Sequence, residues 1–89
     1  NKALEAMAAG RPVVTTNIVN QGLGAQPGRD LLIADDAGTI ANHTIALLND
    51  AGLRVRIGQA GRQFIMSRFS WDVVAQRVHA IEKSVSKTS

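Results

Sequence analysis

Glu5 is the residue whose type and position most favour chemistry in this sequence. It stands in an opening segment whose apolar residues recur at helical spacing, and Gly10 and Pro12 are typical of the end of a helix. The β-branched run at residues 13–16 then predicts a short buried strand. Because α/β proteins commonly hold ligands where a helix and a core strand meet at the edge of a sheet, Glu5 is a candidate ligand-binding residue.

Asp35 and Asp36 are adjacent carboxylates that could suggest a metal site. No third acid adjoins them, and a divalent cation needs more oxygen ligands than this pair supplies. The pair therefore favours a different interpretation, in which Asp35 ends a strand and Asp36 is the N-cap of a helix.

The two histidines, His43 and His79, are predicted to lie on different helices. Neither has a second histidine one turn away, and the chain contains no cysteine. Glu82 follows His79 by three residues, which is typical of a pair on a helix surface. We expect both histidines at the surface and no metal ligation. Ser70 has no evident base, so nucleophilic catalysis is not predicted.

A glycine-rich segment, residues 17–30, separates two apolar runs and is predicted to be a loop, with room for a short turn of helix. Gly22 and Gly24 resemble the start of a dinucleotide-binding motif. Pro27 occupies the place of the third glycine, however, and a predicted strand follows where that motif needs a helix. A plain turn is the better interpretation.

Composition excludes several classes of protein. The net charge of +3 comes from ten basic residues against seven acidic ones, and the arginines are spread along the chain. Aromatic residues make up only 3%, so nucleic-acid binding is disfavoured. The hydrophobic content of 45% predicts a globular chain, whereas no apolar run approaches the ~20 residues that span a bilayer. Without cysteine there is no disulfide or thiolate chemistry. A cytoplasmic location is compatible with these features.

The predicted order of elements is helix, strand, loop, strand and three further helices. The second strand is the apolar run at residues 31–34, expected to be buried on both faces. The helices are predicted at residues 37–49, 51–68 and 71–83, capped by Asp36, Asp50 and Ser70. Two successive apolar strands fit a parallel sheet, so the fold class is α/β, with two short parallel strands and about four helices.

Apolar stripes define the buried faces expected for two of these helices. The first stripe consists of Ile40, Ala41, Thr44, Ile45, Leu47 and Leu48, and the second of Leu53, Ile57, Ala60 or Gly61, and Phe64. Arg54, Arg56 and Arg62 lie mainly off the second stripe and are predicted to be solvated.

Residues 2–14, with the pattern Lys-x-Leu-Glu-Ala-Met-Ala-Ala-Gly-Arg-Pro-Val-Val, resemble a motif of retaining glycosyltransferases. The motif belongs to the nucleotide-sugar-binding domain of the GT-B fold, in enzymes of the large family 4 type. The likeness continues in order over nearly the whole chain, at residues 28–33, 35–36, 47–50, 53–54, 58–62 and 69–71. It is greatest to bacterial sugar transferases of exopolysaccharide or capsule assembly.

The resemblance implies that residues 1–89 are the C-terminal part of the second, Rossmann-like domain of such an enzyme. Family members carry a pair of spaced glutamates, of which the second matches Glu5 and the first would precede Asn1. Glu5 would accept hydrogen bonds from the ribose hydroxyls of the donor, and Lys2 and Asn1 would lie near the diphosphate. A solvated Lys2 and a helix-capping Asn1 are the alternatives.

The resemblance further implies transfer of a sugar, with retention, from a nucleotide-diphosphate donor to a glycan or lipid-linked acceptor. It implies no metal or cofactor at the transfer centre. The missing N-terminal domain, or a second copy of the fragment, would be a partner, and the fragment alone would be inactive. The parent would be cytoplasmic or membrane-associated. Two rival hypotheses are a self-contained, non-catalytic flavodoxin-like domain and a sugar-nucleotide epimerase of the same fold.

Overall fold

A computed structural model of the protein describes residues 2–69 as an α/β fold. The elements, in chain order, are α1 (Lys2–Ala8), β1 (Val14–Thr15), α2 (Asn17–Leu23), β2 (Leu32–Ile33), α3 (Ala37–Asn49) and α4 (Ala51–Arg68). β1 and β2 pair in parallel, with Val14 opposite Leu32 and Thr15 opposite Ile33. The predicted fold class is therefore confirmed. Asn1 and the predicted final helix, with Ser70, His79 and Glu82, lie outside the described residues.

Side-chain caps fix the start of both long helices. The Asp36 carboxylate accepts a hydrogen bond from the N–H of Thr39 at 2.7 Å, and the Asp50 carboxylate accepts one from the N–H of Leu53 at 3.0 Å. Each bond satisfies an N–H that has no partner within its own helix. The predicted bounds of α3 and α4, and both of their predicted N-caps, are confirmed.

The prediction of a loop at residues 17–30 is wrong for its first half, which forms α2. The Thr16 hydroxyl accepts a hydrogen bond from the N–H of Val19, which satisfies a donor at the start of the helix. Gly24 ends the helix in the left-handed conformation, at φ 74°, and its N–H donates to the carbonyl of Asn20. The glycine that suggested a turn is thus the terminator of a two-turn helix.

Fewer residues of β2 and α3 are buried than predicted. Leu31 and Ala34 are buried, but Leu32 and Ile33 are only half-buried, so β2 is not covered on both faces. Of the stripe predicted on α3, only Leu47 is buried, and Leu48 is 71% exposed. The reason is that, within residues 2–69, α3 packs mainly against α4 and β1, which cover only part of its apolar surface.

The hydrophobic core lies between α1, α4 and the segments that enter the two strands. Its fully buried large side chains are Met7, Leu23, Leu31 and Ile65. Gly58 and Gly61 allow α4 to approach this core closely. A Cβ atom on Gly58 would lie 2.2 Å from the carbonyl oxygen of Gly10, and one on Gly61 would lie 2.6 Å from that of Asp30. Both approaches involve backbone atoms, which a side-chain rotation cannot relieve.

We predict that Gly58→Ala destabilises the protein, because the new methyl group must push α4 away from the turn after α1. Overpacking of this kind costs about 1–3 kcal/mol, more than the roughly 1 kcal/mol that alanine contributes in a helix. Urea unfolding followed by circular dichroism measures the change.

Gly22→Ala is the matched control, since no atom lies within 4 Å of the Cβ position on Gly22 and this residue is also helical. We expect it to be neutral or stabilising by up to about 1 kcal/mol. Equal effects of the two substitutions would contradict the proposed close contact.

Candidate functional site

The helix that carries the candidate residues Glu5 and Lys2 is held against α4. Gly58 lies against Gly10, and Gly61, further along α4, lies against Met7, which precedes Gly10 in the chain. Because the order of contacts is reversed, α1 and α4 run antiparallel. The first turn of α1 therefore lies near the C-terminal half of α4. In that turn Glu5 is half-buried and Lys2 is exposed.

A cleft of about 350 Å³ lies beside α1 and β1. It is lined by Lys2, Ala3, Ala6, Pro12, Val13, Val14 and Thr15. Glu5 is not among the residues that line it. The structure thus brings Lys2, but not Glu5, to this cleft.

The cleft adjoins an edge of β1 that no other strand covers within residues 2–69. The carbonyls of Val13 and Thr15 accept hydrogen bonds from the N–H groups of Leu32 and Ala34 on the β2 side. Because backbone groups alternate in direction along a strand, the N–H and C=O of Val14 face the opposite edge. That edge has the geometry to pair with a further strand.

The outer edge of β2, by contrast, is covered by His43. Its Nε2 lies 3.0 Å from the carbonyl oxygen of Ile33, which points away from β1. Since a carbonyl only accepts hydrogen bonds, Nε2 must be the protonated nitrogen. His43 is half-buried, so the prediction of a plain surface position is corrected: this histidine caps the sheet edge.

Asp35 and Asp36 have separate roles at the carboxyl end of β2. Asn17 donates to the Asp35 carboxylate from its backbone N–H, at 3.0 Å, and from its side-chain amide. These bonds tie the start of α2 to the end of β2. Asp36 caps α3, as described above. Within residues 2–69, no group of three or more acidic, histidine or cysteine side chains is placed to bind a metal ion.

Two arginines of α4 satisfy the carbonyl ends of other helices. Arg54 donates from Nη1 to the carbonyls of Leu47 and Leu48, at 2.6 and 3.0 Å, and Arg68 donates from Nε to that of Leu23 at 2.9 Å. A cation is favourable at a helix C-terminus. The prediction that Arg54 belongs to a solvated face is therefore wrong, whereas Arg56 and Arg62 are exposed as predicted.

Asp30 is a buried carboxylate that the sequence did not single out, with 2% of its surface exposed. It accepts hydrogen bonds from the N–H of Gln26 at 2.9 Å and from Nε of Arg29 at 3.0 Å. The hydrogen bond and charge of Asp30 raise the pKa of Arg29. Asp30 thereby fixes the tight turn that enters β2. In the sequence, only Gly28 indicated that turn.

The family model described as "Glycosyl transferases group 1" matches residues 1–50. The chain therefore belongs to this family, and the predicted class of GT-B glycosyltransferase is confirmed. Retention and the family 4 type stay predictions.

Two mycobacterial proteins are similar to this chain. Glycogen synthase of Mycobacterium tuberculosis, from strains CDC 1551 / Oshkosh and H37Rv alike, is 40% identical over 76 residues, which are 82% of this chain and 18% of that protein. Phosphatidyl-myo-inositol mannosyltransferase of Mycobacterium leprae (strain TN) is 33% identical over 85 residues, 93% of this chain and 22% of that protein. The chain thus spans about a fifth of the length of these relatives. No solved structure matches it significantly.

None of the helices within residues 2–69 has the length and apolar character required to cross a membrane.

We predict a pH-dependent stability from Asp36. The N–H of Thr39, and then its hydroxyl, hold the pKa of this carboxyl below its usual value. A lowered pKa in the folded state means that the stabilisation is present above the unfolded pKa, near pH 4, and is lost as the pH falls through the folded value.

Melting temperatures of the wild type and of Asp36→Asn at pH 7 and at about pH 2 test this expectation. Asparagine retains an N-cap acceptor but does not ionise. We expect the wild type to lose more stability than the variant as the pH falls. If the melting temperatures of the wild type and Asp36→Asn differ by the same amount at both pH values, the charge of Asp36 has no effect on stability.

Proposed function

We propose that residues 1–89 are the C-terminal part of the nucleotide-sugar-binding domain of a retaining, family 4 type glycosyltransferase. The parent enzyme would transfer a sugar from a nucleotide-diphosphate donor to a glycan or lipid-linked acceptor, as in bacterial polysaccharide assembly. It would act in the cytoplasm or in association with a membrane. The family match over residues 1–50 supports sugar transfer. The relatives named as a glycogen synthase and as a mannosyltransferase of phosphatidyl-myo-inositol favour acceptors of these two kinds.

The observation that carries the proposal is the position of Glu5, which matches the second glutamate of the family motif. Glu5 lies half-buried in the first turn of a helix that packs on α4, where Gly58 approaches the carbonyl of Gly10 and Gly61 contacts the side chain of Met7. A carboxylate only accepts hydrogen bonds, which suits the two neighbouring hydroxyls of a ribose. A rigid support holds such an acceptor in place for a ligand.

Lys2 is the candidate for the donor diphosphate, together with Asn1, which lies outside the described residues. Lys2 is exposed and lines the cleft beside β1, three residues before Glu5. An ammonium group there would attract the negative charge of a diphosphate. The roles of Glu5 and Lys2 are thus complementary, one for the ribose and one for the phosphates.

The open edge of β1 supports the proposal that the chain belongs to a larger domain. The N–H and C=O of Val14 face this edge, and the cleft of about 350 Å³ adjoins it. A further parallel strand of the parent would pair with β1 and cover the cleft, and a second copy of the chain is the alternative occupant. The acceptor would bind outside residues 1–89, so these residues alone would be inactive.

We predict that Glu5→Ala in the full-length protein weakens donor binding by about tenfold or more. Loss of hydrogen bonds to a charged acceptor costs roughly 1.5–3 kcal/mol, and 1.4 kcal/mol corresponds to a factor of ten. Isothermal titration with a panel of nucleotide sugars measures the change. Glu5→Gln, which retains one acceptor oxygen, should fall between the wild type and Glu5→Ala.

Asp50→Asn is the control, because it removes a carboxylate at the far end of α4 and keeps a capping side chain. We expect its donor affinity to equal that of the wild type. A Glu5→Ala variant that binds every donor as tightly as the wild type would refute the ribose role.

We predict that amide exchange at Val14 distinguishes the fragment from a self-contained domain. In the full-length protein a further strand would protect this N–H, whereas in residues 1–89 it faces an edge that no strand covers within residues 2–69. Hydrogen exchange followed by NMR should show slower exchange in the longer protein. The N–H of Leu32, bonded to Val13 within the sheet, is the internal control. Equal protection of Val14 in both proteins would contradict the proposal.

A further inference from the structure

A groove runs along α4 on a different face from the one that contacts α1. It consists of two open cavities of about 430 and 320 Å³, between α4 and the turn at residues 28–30, and Arg29 and Ala60 line both of them. We refer to it as the α4 groove. Its floor is formed by Leu53, Ile57, Ala60 and Phe64. These residues are spaced by three and four, so at 1.5 Å per residue the floor extends for roughly 16 Å along the helix.

The accessible charge around this apolar floor is positive. Arg29, with 69% of its side chain exposed, and Arg56 lie at the rim. The carboxylate of Asp30 reaches the groove but is 2% exposed and hydrogen-bonded to Arg29. No acid occurs anywhere in α4, and no acid among residues 2–69 pairs with Arg56, whose Nε makes only a long 3.4 Å bond to the carbonyl of Gly52.

Shape and charge together indicate the kind of ligand. Small-molecule sites enclose most of the ligand surface, whereas this groove is long, and Gln63 and Ser67, which also line it, are exposed. An apolar floor with helical spacing fits the apolar face of an amphipathic helix, which contacts a groove through residues at i, i+3, i+4 and i+7. Arginines at the rim complement acidic side chains beside that face.

We propose that the α4 groove binds an acidic amphipathic helix of a protein partner. The apolar face of that helix packs on Ala60 and Phe64, and its flanking carboxylates pair with Arg56 and Arg29. This interaction is separate from donor binding, because the groove lies on another face of α4 from the glycines that hold α1. It is therefore independent of the proposed function.

The experiment uses the whole 89-residue chain and a fluorescein-labelled helical peptide of 14 residues. The peptide carries leucines at i, i+3, i+4 and i+7 and glutamates beside them, and a second peptide has lysine in place of every glutamate. We expect fluorescence anisotropy to show saturable binding of the acidic peptide. The lysine peptide should bind at least about tenfold more weakly, since charge reversal turns attraction into repulsion.

Two variants test the groove itself. Arg56→Glu should weaken binding of the acidic peptide by about tenfold, whereas Arg62→Glu, which changes an exposed arginine of α4 outside the groove, should leave it within about twofold. Ala60→Trp fills the floor without a change of charge and should abolish binding. Circular dichroism establishes that each variant is folded. Because Arg56 is exposed, we expect Arg56→Glu to leave the fold intact.

Absence of saturable binding, equal affinity for the two peptides, or equal weakening by Arg56→Glu and Arg62→Glu would each overturn the proposal. Anionic phosphatidylglycerol vesicles provide the remaining comparison. If they bind the chain, compete with the peptide and lose binding in Arg56→Glu, while the acidic peptide alone does not bind, the groove serves a lipid surface instead and the proposal fails.

Discussion

The contact on which the rest of the structure depends is the close approach of α4 to two backbone carbonyls. Gly58 meets the carbonyl of Gly10, after α1, and Gly61 meets that of Asp30, before β2. Both partners lie where the chain is about to enter a strand. One helix therefore sets the separation of the two strand entries, and no side chain larger than hydrogen fits at either point of contact. The glycine spacing of α4 is a packing requirement rather than a weakness in the helix.

Polar groups at helix ends add a second layer of organisation around this contact. Asp36 and Asp50 bind N–H groups at the starts of α3 and α4, and Arg54 and Arg68 bind carbonyls at the ends of α3 and α2. Such bonds matter in a small fold, because the buried core is too limited to fix every helix by apolar packing. Arg54 and Arg68 thus connect α4 to the ends of α3 and α2 through hydrogen bonds to backbone carbonyls.

The two sides of the molecule have different chemical character. One side presents Lys2 and an edge of β1 that no strand covers within residues 2–69. The other side presents an apolar groove with a cationic rim. The two proposals therefore concern different residues: Glu5 and Lys2 for the donor, and Arg29, Arg56, Ala60 and Phe64 for the helical partner.

By itself, the sequence determined the fold class, the bounds of α3 and α4 and their caps, because local spacing and capping chemistry depend on neighbours in the chain. The family followed from the resemblance of residues 2–14 to a known motif. It also placed Glu5 in the first turn of a helix. Only the tertiary structure decided that α2 is a helix, that His43 covers a sheet edge, that Arg54 caps α3 and that Asp30 is buried. These outcomes depend on contacts between residues distant in sequence, or on the balance of weak local preferences. The α3 stripe shows the same limit: its periodicity predicted the helix, but the number of neighbouring elements decides how much of that stripe is buried.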